Sequence, residues 1–368
     1  MPTAISEPTL FPSLTPVGVL AFQFSSWYPK FASKSIKSIV IKPLHQEFYD
    51  YMRSDGVFLP EGSEDFPIES ALSDDEGDDE GDEGENDGEV QEPRRKFAFP
   101  ELDTRIRDAV REYGAVFPKL NFSSPRDAAW MLPPSHPLRC TAPSDVYTVL
   151  KSSDFILHDI NQDRVFEGCD SDDQARPYYS LELVLRKWYP IDRSRELRCF
   201  VRREVLLGIS QRDPNYYDFW NELGTQAKVV EAVTRFWEEN IRGKWPETDG
   251  NYTFDFLLSR DLTKGHIIDF NPYAPRTDSL LFEYDELLDL LTEASYGNSS
   301  GNGFQPVLKV VDSRSHPAAA RNAPIHQHNM VPMEALALSG GRNIEEFDEV
   351  WQEQLHRSNM DERSDEES

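Results

Sequence analysis

Along the chain, apolar positions switch repeatedly between two periods, and the switches mark out the elements. Residues 36–42, IKSIVIK, are rich in β-branched side chains and predict a strand ending at Pro43. Leu44, Phe48 and Met52 then recur at helical spacing. They predict an amphipathic helix opened by Pro43, running to about Ser54 and stopped by Asp55-Gly56. The helical period returns at Leu102, Ile106, Val110 and Tyr113 and is closed by Gly114. Residues 115–121, AVFPKLN, predict a strand carrying Lys119 near its end. Ser124 as N-cap with Pro125 at the first helical position, and then Ser144-Asp145, predict two helix entries. YYSLELVLRKW, residues 178–188, is strand-like and broken by Tyr189-Pro190.

Two hairpins follow. Residues 196–210 predict one turning near Arg203-Glu204, and residues 252–272 a second turning near Leu262–Gly265. Between them, Leu223, Val229, Val230, Val233, Phe236, Trp237 and Ile241 predict a helix over 221–241. A helix over 284–292 and a strand near 307–311 complete the ordered part, and no internal repeat is present. Beyond Val311 the pattern is polar and irregular, apart from a short helix expected over 344–356.

Composition changes this picture at one place. Of 368 residues, 38% are hydrophobic and 12% aromatic, enough for a substantial core, while the net charge is −28. That charge is concentrated: residues 73–89, SDDEGDDEGDEGENDGE, hold no apolar or basic side chain, and the end, MDERSDEES, is acidic too. Such a run cannot bury enough apolar surface to offset the entropy of ordering it. Residues 61–93 are therefore expected to form a disordered insertion within one folded unit. No basic stripe exists for a phosphate backbone, so nucleic acid is not an expected partner. Cys140, Cys169 and Cys199 have neither a disulfide nor a zinc spacing, which fits a reducing compartment. Residues 1–20 lack the pattern of a secretion leader, and no stretch approaches the ~20 apolar residues of a membrane helix. A soluble, cytoplasmic, monomeric protein is expected. Ser73 before DDE and Ser364 before DEE match an acidophilic kinase pattern, and His326 with His328 forms an H-x-H pair in a polar segment.

The chemistry concentrates on the second hairpin. Asp255 and Asp269 lie symmetrically about its turn, so they should face each other, and Asn271 shares a face with Asp269. Phe254, Phe256, Ile268 and Phe270 fall on the other face. Two carboxylates and an amide oxygen suit Mg²⁺, which takes few protein ligands and completes its shell with water and phosphate. Hairpin acids are otherwise solvated or cap turns, but these interrupt apolar strands several residues from the turn. A metal held in this way implies a polyphosphate and cations to meet it. Lys119 is either that cation or a solvated surface group. Lys187, beside the break at Trp188-Tyr189-Pro190, marks either an adenine-binding loop or an ordinary strand end. Arg198 and Arg212 either reach phosphate oxygens or pair with Glu196 and Asp213.

The segments FPKLNFSSPRDAAWM, LVLRKWYPIDRSRELRCFVRREVLLGISQRD and FDFLLSRD…IIDFNPYAPRTDSLLF resemble the cell division cycle protein 123 family, as do WYPKF and DGVFLP. The resemblance runs with interruptions from about Phe22 to Leu291. It implies an α+β chain with an ATP-grasp fold, in which two lobes clasp ATP–Mg²⁺. The lobes would be residues 20–180 and 181–311, with 312–368 a mostly irregular tail. It also implies an assembly chaperone of eukaryotic translation initiation factor 2 that binds the C-terminal part of the gamma subunit, with a ligase or slow ATPase as the alternative. Position by position, Lys119 with Asn121 resembles the phosphate side and Arg186, Lys187 and Trp188 the adenine side. Arg198 and Arg212 resemble polyphosphate arginines, and Asp255, Asp269 and Asn271 the magnesium ligands. Asp278 would support them from behind.

Overall fold

The computed structural model describes residues 9–64, 96–170, 177–222, 224–297 and 304–318. Chain contacts divide it into two units, residues 1–213 with 219–310, and residues 214–218 with 311–368. Both sheets lie within the first. The bulk of the acidic insertion, Leu223, Ser73, Ser364, the His326–His328 pair and the expected helix over 344–356 all lie outside the described residues.

The unit is α+β, with two sheets. The first joins β1 (Ser38–Ile41), β3 (Leu183–Lys187) and β2 (Val116–Lys119) in the order β1-β3-β2, all antiparallel. The second has the order β7-β6-β4-β5-β8, built from β4 (Glu196–Arg202), β5 (Val205–Gln211), β6 (Tyr252–Leu258), β7 (Gly265–Pro272) and β8 (Val307–Lys309). Only β8 runs parallel to its neighbour, β5. Around the sheets are α1 (Pro16–Ala21), α2 (Phe24–Phe31), α3 (Gln46–Arg53), α4 (Pro100–Tyr113) and α5 (Pro143–Lys151). They are joined by α6 (Leu157–Ile160), α7 (Gln162–Val165), α8 (Thr225–Asn240) and α9 (Tyr284–Gly297). Among the described residues, no helix is long and apolar enough to cross a membrane.

The helical periods bury what they should. On α4, Ile106 and Ala109 are buried, with Leu102, Val110 and Tyr113 packed beside them on the core under the first sheet. Gly114 ends that helix with φ of 79°, and its N–H donates to Val110 O. The first hairpin turns at Arg203 and Glu204, both at positive φ, the tight turn that matches strand twist. On the second hairpin, Phe254, Phe256, Ile268 and Phe270 are all buried. Trp27 of α2 and Trp245 meet Phe270 at 5.2 and 4.6 Å between ring centroids, an aromatic joint between α2 and the second sheet. The Phe256 ring lies over Gly265, where a β-carbon would sit only 1.9 Å away, so that strand start must be glycine.

Several expectations are corrected. The helix expected to open at Pro43 starts at Gln46, because Leu44 N–H donates to Leu181 O and keeps the chain extended there. Ser124 caps nothing through its side chain: residues 126–131 form a 3-10 helix, and Asp127 accepts from Ser153 Oγ and Asp154 N–H instead. The strand expected over 178–188 shortens to Leu183–Lys187. The insertion does not begin at 61, since Glu61 N–H donates to Phe97 O and Ser63 is buried. Its base is thus closed by paired backbone on either side. β3, just past residue 180, is hydrogen-bonded to β1 and β2 and lies in the first sheet.

Candidate functional site

Asp255 and Asp269 are direct cross-strand partners on β6 and β7. Immediately beyond them the register slips, so that Phe256 pairs with Ile267 and Ile268 is the extra residue of a β-bulge. The bulge turns β7 carbonyls towards the first sheet, where Ser35 Oγ donates to Ile267 O at 2.8 Å and Arg186 Nη1 to Ile268 O at 2.7 Å. Asp269 thereby comes within reach of Lys119 on β2, and Lys119 Nζ lies 2.6 Å from Asp269 Oδ2.

On β2 and β3, Lys119 pairs with Val184 and Phe117 with Arg186, so Lys119 and Arg186 share one face of the first sheet. Both are buried, and both ride over the Phe24 ring, at 5.2 and 5.5 Å from its centroid. Burial lowers the Arg186 pKa against the Asp269 charge, which raises it. With Nη1 held by Ile268 O, Arg186 Nε and Nη2 have no hydrogen-bond partner although the residue is only 5% exposed. Donors left unsatisfied in this way are costly. Two N–H groups of a guanidinium fork suit an anion such as a phosphate.

Around Asp255 the arrangement is also cationic. Arg198 holds the carboxylate from both sides, Nε to Oδ1 at 2.8 Å and Nη2 to Oδ2 at 3.0 Å, and its Nη1 donates to Asp278 O at 2.9 Å. Arg212 Nε lies 3.3 Å from Asp255 Oδ2, and its Nη1 donates to Glu196 Oε2 at 2.9 Å. Arg126 stands 3.9 Å from the same Glu196 oxygen. Burial pushes the Asp255 carboxyl up, but Arg198 and Arg212 outweigh it and hold the pKa below the usual carboxylate range. The Glu196 carboxyl is pushed up to about 7, by burial first and then by the Asp255 charge. Arg193 and Arg198 pull it down but do not reverse that rise.

Lys119, Arg186, Arg198, Arg212, Asp255 and Asp269 are therefore gathered at one seam, with Asn271 half-buried two residues further along β7. The rest are not. Asn121 Nδ2 donates to Ser180 O and its Oδ1 accepts from Glu182 N–H, so its amide fixes the chain entering β3. Lys187 projects from the opposite face of β3 to Arg186, with Nζ 5.2 Å from the Tyr189 ring centroid. Trp188 Nε1 donates to Pro137 O, and its ring lies edge-on to His136. Asp278 contributes its carbonyl to Arg198, and its side chain accepts from Leu280 N–H. Sequence reasoning missed Phe24 and Arg126. Nothing in the pattern marks Phe24, whereas Arg126 stands in the SPRD motif already singled out.

Among the described residues, no group of three or more His, Cys, Asp or Glu side chains is placed to hold a metal ion. Asp255, Asp269 and Asn271 offer only oxygen donors, the set that a hard cation takes. Facing carboxylates ordinarily require a cation, but here Lys119, Arg198 and Arg212 already supply it. The residues thus fit a metal that arrives with a polyphosphate better than a metal alone.

A family model described as D123 matches residues 27–339. The chain is 32% identical to a translation initiation factor eIF2 assembly protein of Botryotinia fuckeliana, over 96% of this chain and 92% of that protein. It is 38% identical to the Xenopus tropicalis protein of the same name, over 73% and 78%. The solved structure of Cdc123 from Schizosaccharomyces pombe superposes with a TM-score of 0.60 at 30% identity, covering 82% of this chain and all of that one.

Proposed function

Because the chain belongs to the D123 family, that of cell division cycle protein 123, we propose that it is an ATP- and Mg²⁺-binding chaperone which assists assembly of translation initiation factor eIF2. The partner would be the C-terminal part of the factor's gamma subunit, met by a cytoplasmic monomer. The two sheets serve as the lobes of an ATP-grasp fold, with the boundary after Trp188 so that β3 stays with β1 and β2. The triphosphate would lie along the seam, taking Lys119, Arg186 and Arg212, while Asp255, Asp269 and Asn271 hold the metal. The base would be bordered by the backbone of Lys187, Trp188 and the break that follows, since the Lys187 side chain turns away from the seam.

The nucleotide part rests on the buried, half-satisfied guanidinium of Arg186 beside the Lys119–Asp269 pair. The assembly role rests on relatives of that name matching from 73% to 96% of the chain. A nucleotide shifts a partner-binding equilibrium only through its differential affinity for the two states. Capture of purified gamma subunit, with and without ATP and Mg²⁺, tests both parts. Retention strengthened by ATP–Mg²⁺ is expected. Retention that ignores nucleotide would remove the switch, and no retention under any condition would remove the partner.

A further inference from the structure

We infer that Lys119 and Arg212 stand where the charge of a divalent cation would go, so that a metal ion enters the site only with a polyphosphate that draws both side chains off Asp269 and Asp255. This deepens the nucleotide reading above and rests on it. Three acids, Asp255, Asp269 and Glu196, face five cations, Lys119, Arg126, Arg186, Arg198 and Arg212. The seam as built repels a free divalent ion and attracts an anion. A metal alone would have to displace Lys119 from a 2.6 Å contact and leave that ammonium buried without a partner. A metal carried on a triphosphate brings the replacement partner with it.

Geometry also separates the cations that exchange from those that stay. Arg198 holds both oxygens of Asp255 and is tied to Asp278 O as well, so it remains. Lys119 has one carboxylate contact, and its ammonium is a point charge with three donors that can turn to phosphate without a change of strand. Arg212 Nε approaches Asp255 without making a hydrogen bond. Arg186 holds two buried nitrogens, Nε and Nη2, that still lack a partner. By linkage, ATP must then raise the affinity for the metal by the same factor as the metal raises that for ATP.

The test uses the full chain and Mn²⁺ as the probe. Mn²⁺ alone is titrated and followed by the electron paramagnetic resonance of the free ion. ATP is titrated by calorimetry, once with EDTA and once with Mn²⁺. Wild-type protein should take up Mn²⁺ alone about tenfold or more weakly than Lys119→Met, in which Asp269 is released. Arg212→Gln should move in the same direction by less, and it guards against a Lys119→Met chain that fails to fold. Asp269→Asn should remove the Mn²⁺ binding gained by Lys119→Met. Equal Mn²⁺ affinity in wild type and both variants would overturn the inference. So would equal ATP affinity with EDTA and with Mn²⁺, which leaves nucleotide binding standing. Absence of ATP binding by wild type in both buffers would instead overturn the nucleotide reading itself.

Discussion

Replacing Asp269 by alanine leaves the Lys119 ammonium, whose side chain is 0% exposed, with the Phe24 ring in place of a carboxylate. Two unit charges about 4 Å apart attract by ~4 kcal/mol at the effective dielectric of ~20 that suits protein sites. Removing one partner of a buried pair typically costs ~3–5 kcal/mol, because the remaining charge stays desolvated. Asp269 is itself 17% exposed, and water entering from that side places the expectation at the lower end, ~3 kcal/mol. Urea unfolding followed by tryptophan fluorescence measures it, with Lys119→Met and the double variant completing a cycle. The double variant should be more stable than Asp269→Ala alone, because it no longer buries an unpaired charge. Asp269→Ala should also lose Mg²⁺-dependent ATP binding while remaining folded. A loss of stability below ~1 kcal/mol, together with additive single effects, would refute the buried-pair account.

Three further outcomes are expected. The Glu196 carboxyl is pushed from 4.5 up to about 7, so the native state holds a proton that the unfolded chain releases between those values. Stability should therefore fall as pH rises from 4.5 towards 7, by at most ~1.4 kcal/mol per pH unit, and Glu196→Gln should flatten that slope; identical profiles would exclude it. Asn121→Ala leaves Ser180 O and Glu182 N–H without their side-chain partner and should cost ~1–3 kcal/mol. Faster amide exchange at Glu182 is the check, and unchanged protection would refute it. Deleting residues 73–89 roughly halves a loop whose base is closed by Glu61 and Phe97, which changes closure entropy by only ~0.6 kcal/mol. An unchanged thermal midpoint is expected, and a drop of several degrees would show that the segment carries contacts of its own.

Local periodicity made much of the fold readable. The helix through Leu102, Ile106, Val110 and Tyr113, both hairpins, and the pairing of Asp255 with Asp269 follow from spacing of 3.6 or 2 about a turn. The bulge did not show, because Ile267 and Ile268 are both apolar and a one-residue slip leaves such a run looking the same. Arg186, Lys187 and Trp188 read as a block in sequence, yet strand alternation sends Arg186 to the seam and Lys187 away from it. Lys119 and Asp269 are 150 residues apart, and no spacing rule connects them. Asn121 beside Lys119 had the look of a ligand, but its partners, Ser180 and Glu182, are equally remote in sequence. Long-range polar pairing is what a single sequence hides, and this site is made of it.

That pairing also bears on how a ligand at the seam would act. The first sheet and the preceding Ser35 reach β7 through three side chains: Lys119 to Asp269, Arg186 to Ile268 O and Ser35 to Ile267 O. Only the first is an ion pair, so a polyphosphate exchanges most readily there; the other two end on neutral carbonyls and leave Arg186 Nε and Nη2 unpaired. Exchange at Lys119 therefore does not need the two sheets to part. On the proposed reading, Lys119 would hold the phosphate and Asp269 the metal, so that both strands stay engaged with the ligand. The tie would stay charge-balanced rather than be cut. A nucleotide acting in this way would stiffen a seam already formed. The two states would differ in the ordering of β7 and its bulge more than in the separation of the sheets.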